Sequence, residues 1–432
     1  MQSEYVVMRT DRDVLAAIWS RMKTALQIVR SPEEQLIVQL AASDIPAAQQ
    51  LVETSRIDIA RIIELSSRHM MTAIVFQRLA QLTLEEPLRS HVMTIARRTT
   101  IDAIAFGVTV RSELHRVADL LARAGIDMLV IKGPAVDKDP LRWANDLDVL
   151  VSQRDVMRAV GVLTTAGYKY IGSPILDDRE KCRLERQLEW NNQFQFASPA
   201  SGLQVEIHYN LFERDRIRLE RLDRFLDSVA LFGDSRRWDN ELGCHIPAPE
   251  SSLALLCVHA ATKRSPASGA FVLRHAYDIV GLVQKGIEEE RFLSLCHAWA
   301  IEYYAYASLR LAALCLEARS SFLLASRLKP SLTARMIRLA DIQCRCFRGL
   351  DSSSSFYRRL YVLYMPSAIG GGWKKSIRWY REAIFAPRWR QEARTGVSRD
   401  SPRIYLTYVT HPLERIYRAI ERILRPRPST GR

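Results

Sequence analysis

Apolar side chains recur every three to four positions through the first part of the chain, at Val14, Ile18, Met22 and Leu26 and again at Ile59, Ile62 and Ile63. That spacing lines one face of an α-helix, so residues 1–124 are expected to be helical scaffold. A long helix is expected from about Thr100 to Ala124, with Gly125 as its stop.

From residue 125 the period shortens. Ile126 to Ile131 and Leu147 to Val151 are apolar runs of strand length, Arg154 to Ala166 reads as a helix closed by Gly167, and Tyr168 to Ile171 returns to a strand. After a charged helical stretch, Asp178 to Glu189, two alternating segments follow, Asn191 to Phe196 and Leu203 to Tyr209. The link Ser198-Pro199-Ala200-Ser201-Gly202 between them is rich in turn formers and predicts a hairpin. Beyond about residue 247 the helical period resumes, with helices expected over Ser252 to Ala261, Ala270 to Val283 and Glu288 to Ala298, and a last one over Pro412 to Arg425. Pro366 with Gly370, Gly371 and Gly372 marks a break. The expected organisation is therefore an N-terminal helical region over 1–124, an α/β core over 125–246, a helical domain over 247–365 and a basic region over 366–432. The fold class is α+β, a small mixed β-sheet embedded in a mostly helical protein.

Charge changes the picture at one end only. The net charge is +14, and residues 331–432 carry 21 Lys and Arg against 7 Asp and Glu, so the rest of the chain is neutral in sum. Nineteen of those cations are Arg, interleaved with aromatic residues in Trp373 to Arg381 and Pro387 to Arg390. Such a segment suits a solvated helical surface, an anionic membrane surface or membrane-bound biosynthetic complex, or, ranking behind these, nucleic acid. Seven scattered cysteines argue against a secreted disulfide framework, and Cys344-x-Cys346 stands without the second pair a zinc site needs. The N-terminus, with Glu4, Asp11 and Asp13, reads as neither signal peptide nor anchor. The reducing cytoplasm fits this set, with peripheral attachment to a membrane through the tail as a variant.

The candidate chemistry lies in residues 125–212. Asp146 and Asp148 open the second apolar run, and alternation along a strand places both carboxylates on one face, roughly 6 to 7 Å apart. In the later strand Leu203, Val205 and Ile207 share one face, leaving Gln204, Glu206 and His208 on the other. A Lys132-Gly133 turn ends the first strand, and Arg142 precedes the aspartate pair. Nucleotidyl transfer from a triphosphate requires neutralised phosphate charge and an attacking oxygen held in line. Asp146, Asp148 and Glu206 would ligate Mg²⁺ or Mn²⁺, with Glu206 alternatively accepting the proton of the attacking hydroxyl. Gly133 would let the backbone approach phosphates, Lys132 and Arg142 would neutralise them, and His208 would be a ligand, a substrate contact or a structural hydrogen-bonding group.

The string Leu129-Val130-Ile131-Lys132-Gly133, then Arg142, then Asn145 to Val151, a helix, Gly167-Tyr168 and Val205-Glu206-Ile207-His208 resembles the uncharacterised bacterial nucleotidyltransferase family of the DNA polymerase beta superfamily. His259 and Asp278-Ile279 resemble that family's helical continuation. The resemblance implies a sheet of polymerase-beta type, a magnesium-dependent site and transfer of a nucleoside monophosphate from a nucleoside triphosphate to a small-molecule or carrier acceptor, in exopolysaccharide or natural-product biosynthesis. It carries metal binding onto Asp146 and Asp148, the third acidic role onto Glu206, and the phosphate turn onto Lys132 and Gly133. The chain departs from the superfamily's usual Gly-Ser or Gly-Gly turn by placing Lys132 before the glycine, and only Pro134 to Leu141 separates Gly133 from Arg142. Two other classes remain open from sequence: a catalytically silent fold acting as a binding or assembly protein through its basic tail, and an RNA-binding or RNA-modifying protein.

Overall fold

The computed structural model describes residues 30–133, 139, 141–142, 146–171, 192–211, 233, 236–262, 271–347, 349–350, 355–369, 377, 401–408 and 410. The expected helices over 14–26, 178–189 and 412–425 lie outside these. The chain divides into two compact units, Met1–Leu363 and Tyr364–Arg432, and the sheet and all of the chemistry below belong to the first.

Among the described residues seven strands form one mixed sheet: β1 (Met128–Val130), β2 (Asp146–Val151), β3 (Lys169–Tyr170), β4 (Gln193–Ala197), β5 (Gln204–His208), β6 (Arg236–Asp239) and β7 (Cys244–Pro247), in the order β3-β4-β5-β2-β1-β7-β6. At its centre β2 runs parallel to β5 and antiparallel to β1. The alternation read in β2 and β5 is used as expected. Leu147, Val149 and Val151 with Val205, Ile207 and Tyr209 are fully buried in one hydrophobic cluster. The opposite face of the same strands carries the acidic residues.

Two helices cover the apolar face. One is the 36-residue helix Leu88–Arg123, about 54 Å long at 1.5 Å per residue, which puts Val110, Leu114, Val117 and Leu121 into the cluster. The other is Val156–Thr165, which adds Val156, Ala159, Val160 and Leu163. The first begins twelve residues before the expected Thr100, because its N-terminal half is largely exposed and lacks a continuous apolar stripe.

In chain order the helices are α1 (Pro32–Ala41), α2 (Ile45–Thr54), α3 (Ile59–Arg68), α4 (Thr72–Leu79), α5 (Leu88–Arg123), α6 (Val156–Thr165), α7 (Pro249–Thr262), α8 (Leu273–Gln284), α9 (Glu289–Ala298), α10 (Glu302–Leu316), α11 (Arg319–Leu328), α12 (Ala334–Cys346) and α13 (Ser355–Ile369). α10 is buried along its whole length, and α7, α8, α11 and α12 pack around it. Each is apolar on the side it presents, so this part forms a second core continuous with the end of β7.

The β6–β7 hairpin was not expected from sequence. Arg236-Arg237-Trp238-Asp239 is a sheet edge with Arg237 and Trp238 exposed, so it carries no alternation to read. No described helix is long and apolar enough to cross a membrane.

Candidate active site

Parallel pairing of β2 with β5 sets Asp148 directly beside Glu206 and Asp146 beside Gln204. Asp148, Glu206 and His208 are buried, and Asp146 is half-buried at the strand's start. The amide of Ile131 donates to the Asp148 carbonyl at 3.2 Å, which carries the β1–β2 ladder one step past β1 and brings the next residue, Lys132, alongside. Its Nζ donates to Asp148 Oδ1 at 2.8 Å. Gly133 then turns the chain with φ +63°, a conformation in which a Cβ would be strained.

The remaining partners fix each acidic group. His208 Nε2 lies 2.8 Å from Asp148 Oδ1, and Asn192 Nδ2 lies 3.3 Å from His208 Nδ1. The Asp148 carboxylate accepts, so Nε2 carries the proton of that bond. Glu206 Oε1 accepts from Gln195 Nε2 at 2.8 Å and from Gln204 Nε2 at 2.6 Å, while Oε2 faces His208 Nε2 at 3.4 Å.

Burial opposes ionisation of all three carboxylates, and their neighbours decide the outcome differently. For Asp148 the Lys132 ammonium and His208 outweigh burial and hold the carboxyl well below the usual range. For Glu206 the His208 hydrogen bond does the same, more weakly. Among the described residues no such donor reaches Asp146: burial, then the charges of Asp148 and Glu206, push it up to about 6 against the counter-pull of Lys132 and Arg274. Among the described residues, three carboxylates against Lys132 and the more distant Arg274 leave an excess of negative charge that a divalent cation would relieve.

Arg142 is bound to the turn beside this centre and to the helical core. Its Nε and Nη2 form a two-pronged pair with Asp278 of α8 at 2.7 and 2.6 Å, and Nη1 donates to the Gly133 carbonyl at 2.9 Å. The sequence expectation made Arg142 a phosphate partner, and in this structure its guanidinium is committed to Asp278 and the turn.

The family model of uncharacterised nucleotidyltransferases matches residues 55–317, well over half of the chain. The chain belongs to this family. No curated protein and no solved structure matches it.

The matched span of this nucleotidyltransferase contains the whole sheet and the helices α3 to α10. Its activity is nucleotidyl transfer. Asp148, Glu206 and His208 offer ligand atoms all within 4.8 Å of one another, a buried cluster able to hold a divalent cation. The carboxylates fit such an ion, since their oxygens are hard ligands, and His208, through its Nε2 bond to Asp148, would orient that carboxylate. Asp146 stands outside that tight cluster, close enough to feel the charges of both other carboxylates.

Five further residues shape the site, and the sequence alone assigns none of them a role in it. Gln195 and Gln204 hold Glu206, Asn192 fixes the His208 ring, Asp278 holds Arg142, and Arg274, four residues before Asp278, acts electrostatically on Asp146. For Gln195 and Gln204 the signal was present, since both share the polar face of a strand with a site residue or face one across the hairpin. Arg274 has only the helical period of α8 to mark it, and Asp278 stands out in sequence only through the family resemblance of Asp278-Ile279; neither signal names a partner beside the sheet.

Proposed function

We propose that this protein is a magnesium-dependent enzyme, with Mn²⁺ as a substitute, that moves a nucleoside monophosphate from a nucleoside triphosphate to a hydroxyl or other nucleophile of a small-molecule or carrier acceptor. The observation that supports this reading best is the juxtaposition of Asp148 and Glu206 on adjacent parallel strands with the Lys132 ammonium on the same carboxylate. A small sheet bearing this acidic face suits a polymerase-beta type of site. Exopolysaccharide or natural-product biosynthesis is the setting that would supply such acceptors.

Asp146, Asp148 and Glu206 would hold the cation. When bound, it neutralises triphosphate charge and orients the reacting oxygens. Glu206 stays ionised below the ordinary carboxylate range, which makes it a poor proton acceptor near neutrality and suits metal ligation better than general-base work. His208 holds Asp148 in register through Nε2–H. Lys132 has the reach to trade Asp148 for a phosphate oxygen, and Gly133 lets backbone approach the anion.

The test is triphosphate binding by the full chain. Each of the four ribonucleoside triphosphates with Mg²⁺ is screened for thermal stabilisation, since a ligand that binds only the folded state raises the melting temperature. One or more should stabilise the wild type and none the Asp146→Ala, Asp148→Ala double variant. Equal stabilisation of both proteins would refute the assignment.

A second reading concerns where the enzyme works. The concentration of positive charge and Arg–Trp pairs in residues 331–432 favours docking on an anionic membrane surface or a membrane-bound synthesis complex over an RNA partner.

A further inference from the structure

The side chains of Arg142 and Asp278 are 3% and 1% exposed, and 136 positions of sequence separate them. A buried ion pair of this kind contributes little net stability, because desolvating two charges offsets most of their attraction. Its placement is more informative. Asp278 sits in the middle of α8, in the helical core, whereas Arg142 precedes β2 and grips the carbonyl of Gly133 at 2.9 Å. The pair therefore connects the helical core to the turn that follows β1, one residue from the Lys132 that reaches Asp148.

The grip on Gly133 has a chemical consequence. A peptide carbonyl aimed at a phosphate repels it, and a left-handed glycine is free to rotate its peptide plane. With three hydrogen bonds fixing the guanidinium to Asp278 and Gly133, the carbonyl dipole is neutralised and the plane held. Asp139 prepares the arrangement from the other side: its carboxylate accepts from the Leu141 amide at 2.9 Å and its carbonyl from the Arg142 amide at 3.0 Å, forming the turn that presents Arg142.

We propose that Arg142 and Asp278 are positioning residues that clamp the Lys132-Gly133 turn onto α8, so that the turn is preset for a triphosphate while the cation cluster on β2 and β5 is independent of the clamp. The inference rests on the nucleotidyl-transfer reading of the site. It assigns Arg142 an indirect part, with no contact to the nucleotide.

The full chain is tested as wild type, as Asp278→Asn, and as the double variant Arg142→Met, Asp278→Leu, which replaces the buried pair by apolar side chains of similar size. Calorimetric titration measures affinity for the magnesium complex of whichever ribonucleoside triphosphate stabilises the wild type. Electron paramagnetic resonance measures binding of Mn²⁺ alone, and melting reports the fold. The double variant should melt near the wild type and bind Mn²⁺ equally well, yet bind the triphosphate at least about tenfold more weakly, as expected when a positioning element is released. Asp278→Asn should move the same way.

Unchanged triphosphate affinity in either variant would overturn the clamp, as would parallel loss of Mn²⁺ and triphosphate binding. A double variant that does not fold would also overturn it, because a pair kept for position is replaceable by apolar groups without loss of the fold. A wild type that binds Mn²⁺ but no triphosphate would remove the nucleotidyl-transfer reading itself, and the clamp with it.

Discussion

Lys132 Nζ stands 2.8 Å from Asp148 Oδ1, so this lysine occupies the carboxylate a metal ion would need. The ammonium and an incoming cation compete for that oxygen, and a triphosphate offers the lysine an alternative partner. Lys132→Met should therefore separate the two ligands. Mn²⁺ alone should bind at least as tightly as to the wild type, and triphosphate affinity should fall by about ten- to a hundredfold, roughly 1.4 to 2.8 kcal/mol. Titration calorimetry with each ligand decides this, and an unchanged triphosphate affinity would mean that Lys132 serves only to neutralise Asp148.

The raised Asp146 carboxyl makes cation binding dependent on pH. Its folded-state value of about 6 exceeds the ordinary carboxylate value, so the cation-free fold prefers the protonated form. Stability contributed by that group is present at low pH and declines as pH rises from the ordinary carboxylate value through about 6. A divalent cation selects the ionised form and reverses the penalty. The melting-temperature gain from a fixed Mg²⁺ concentration should thus be small at pH 5 and reach its plateau above pH 7. In Asp146→Asn the gain should be smaller and should lose the part of its pH dependence centred near 6, which differential scanning fluorimetry across the range would show.

On the opposite face of the sheet, Glu113 of α5 is buried and gathers Arg116 at 2.8 Å, Ser198 Oγ at 2.8 Å and the Tyr168 hydroxyl. This network ties the long helix to the turn before β3 and to the β4–β5 hairpin that carries Glu206. Burial resists ionisation of Glu113, yet Tyr168, Arg116 and Ser198 together hold its carboxyl below the ordinary value. The stability it contributes is therefore present above the unfolded-state value and is lost as pH falls through the folded one. Glu113→Ala leaves Arg116, Tyr168 and Ser198 without their common acceptor. It should cost about 2 to 4 kcal/mol in urea unfolding near neutral pH. A loss under about 0.5 kcal/mol, the usual size for a surface change, would show the network to be dispensable.

Legibility in the sequence followed how many environments each residue had to satisfy. β2 and β5 separate a core face from a site face, so alternation exposed Asp146, Asp148, Glu206 and His208 together, and the Lys132-Gly133 turn followed from where β1 ends. Arg142 shows the limit. A cation just before an acidic strand reads as a phosphate partner, and only the fold reveals Asp278, 136 positions away, as its counter-charge. β6 gave no signal because the adjacent Arg237 and Trp238, which point to opposite faces of an edge strand, are both exposed, so no apolar alternation separates the two faces. Helices α7 and α10 lack a polar face to set their phase, since both are buried nearly all round; α7 is read from sequence as a helix over Ser252 to Ala261, and α10 falls inside the helical region 247–365 without bounds of its own.

The basic segment 331–432 leads to a prediction about location that is independent of catalysis. Each Lys or Arg brought near an anionic bilayer contributes about 1 kcal/mol, and salt screens the attraction within a Debye length. Arg378, Arg381, Arg388 and Arg390 flank Trp379, Tyr380 and Trp389, aromatic residues suited to the headgroup layer. Full-length protein should co-sediment with vesicles containing phosphatidylserine at low salt, stay in solution with neutral phosphatidylcholine vesicles, and detach at about 0.5 M salt, where the Debye length falls to roughly 4 Å. Reversing the four arginines to glutamate should weaken vesicle binding by more than about a hundredfold, since four contributions near 1 kcal/mol change sign. Magnesium-dependent triphosphate binding should stay as in the wild type, because the acidic face lies on β2 and β5. Binding to single-stranded RNA that is tighter than to the anionic vesicles, and lost in the same variant, would instead assign the segment to nucleic acid.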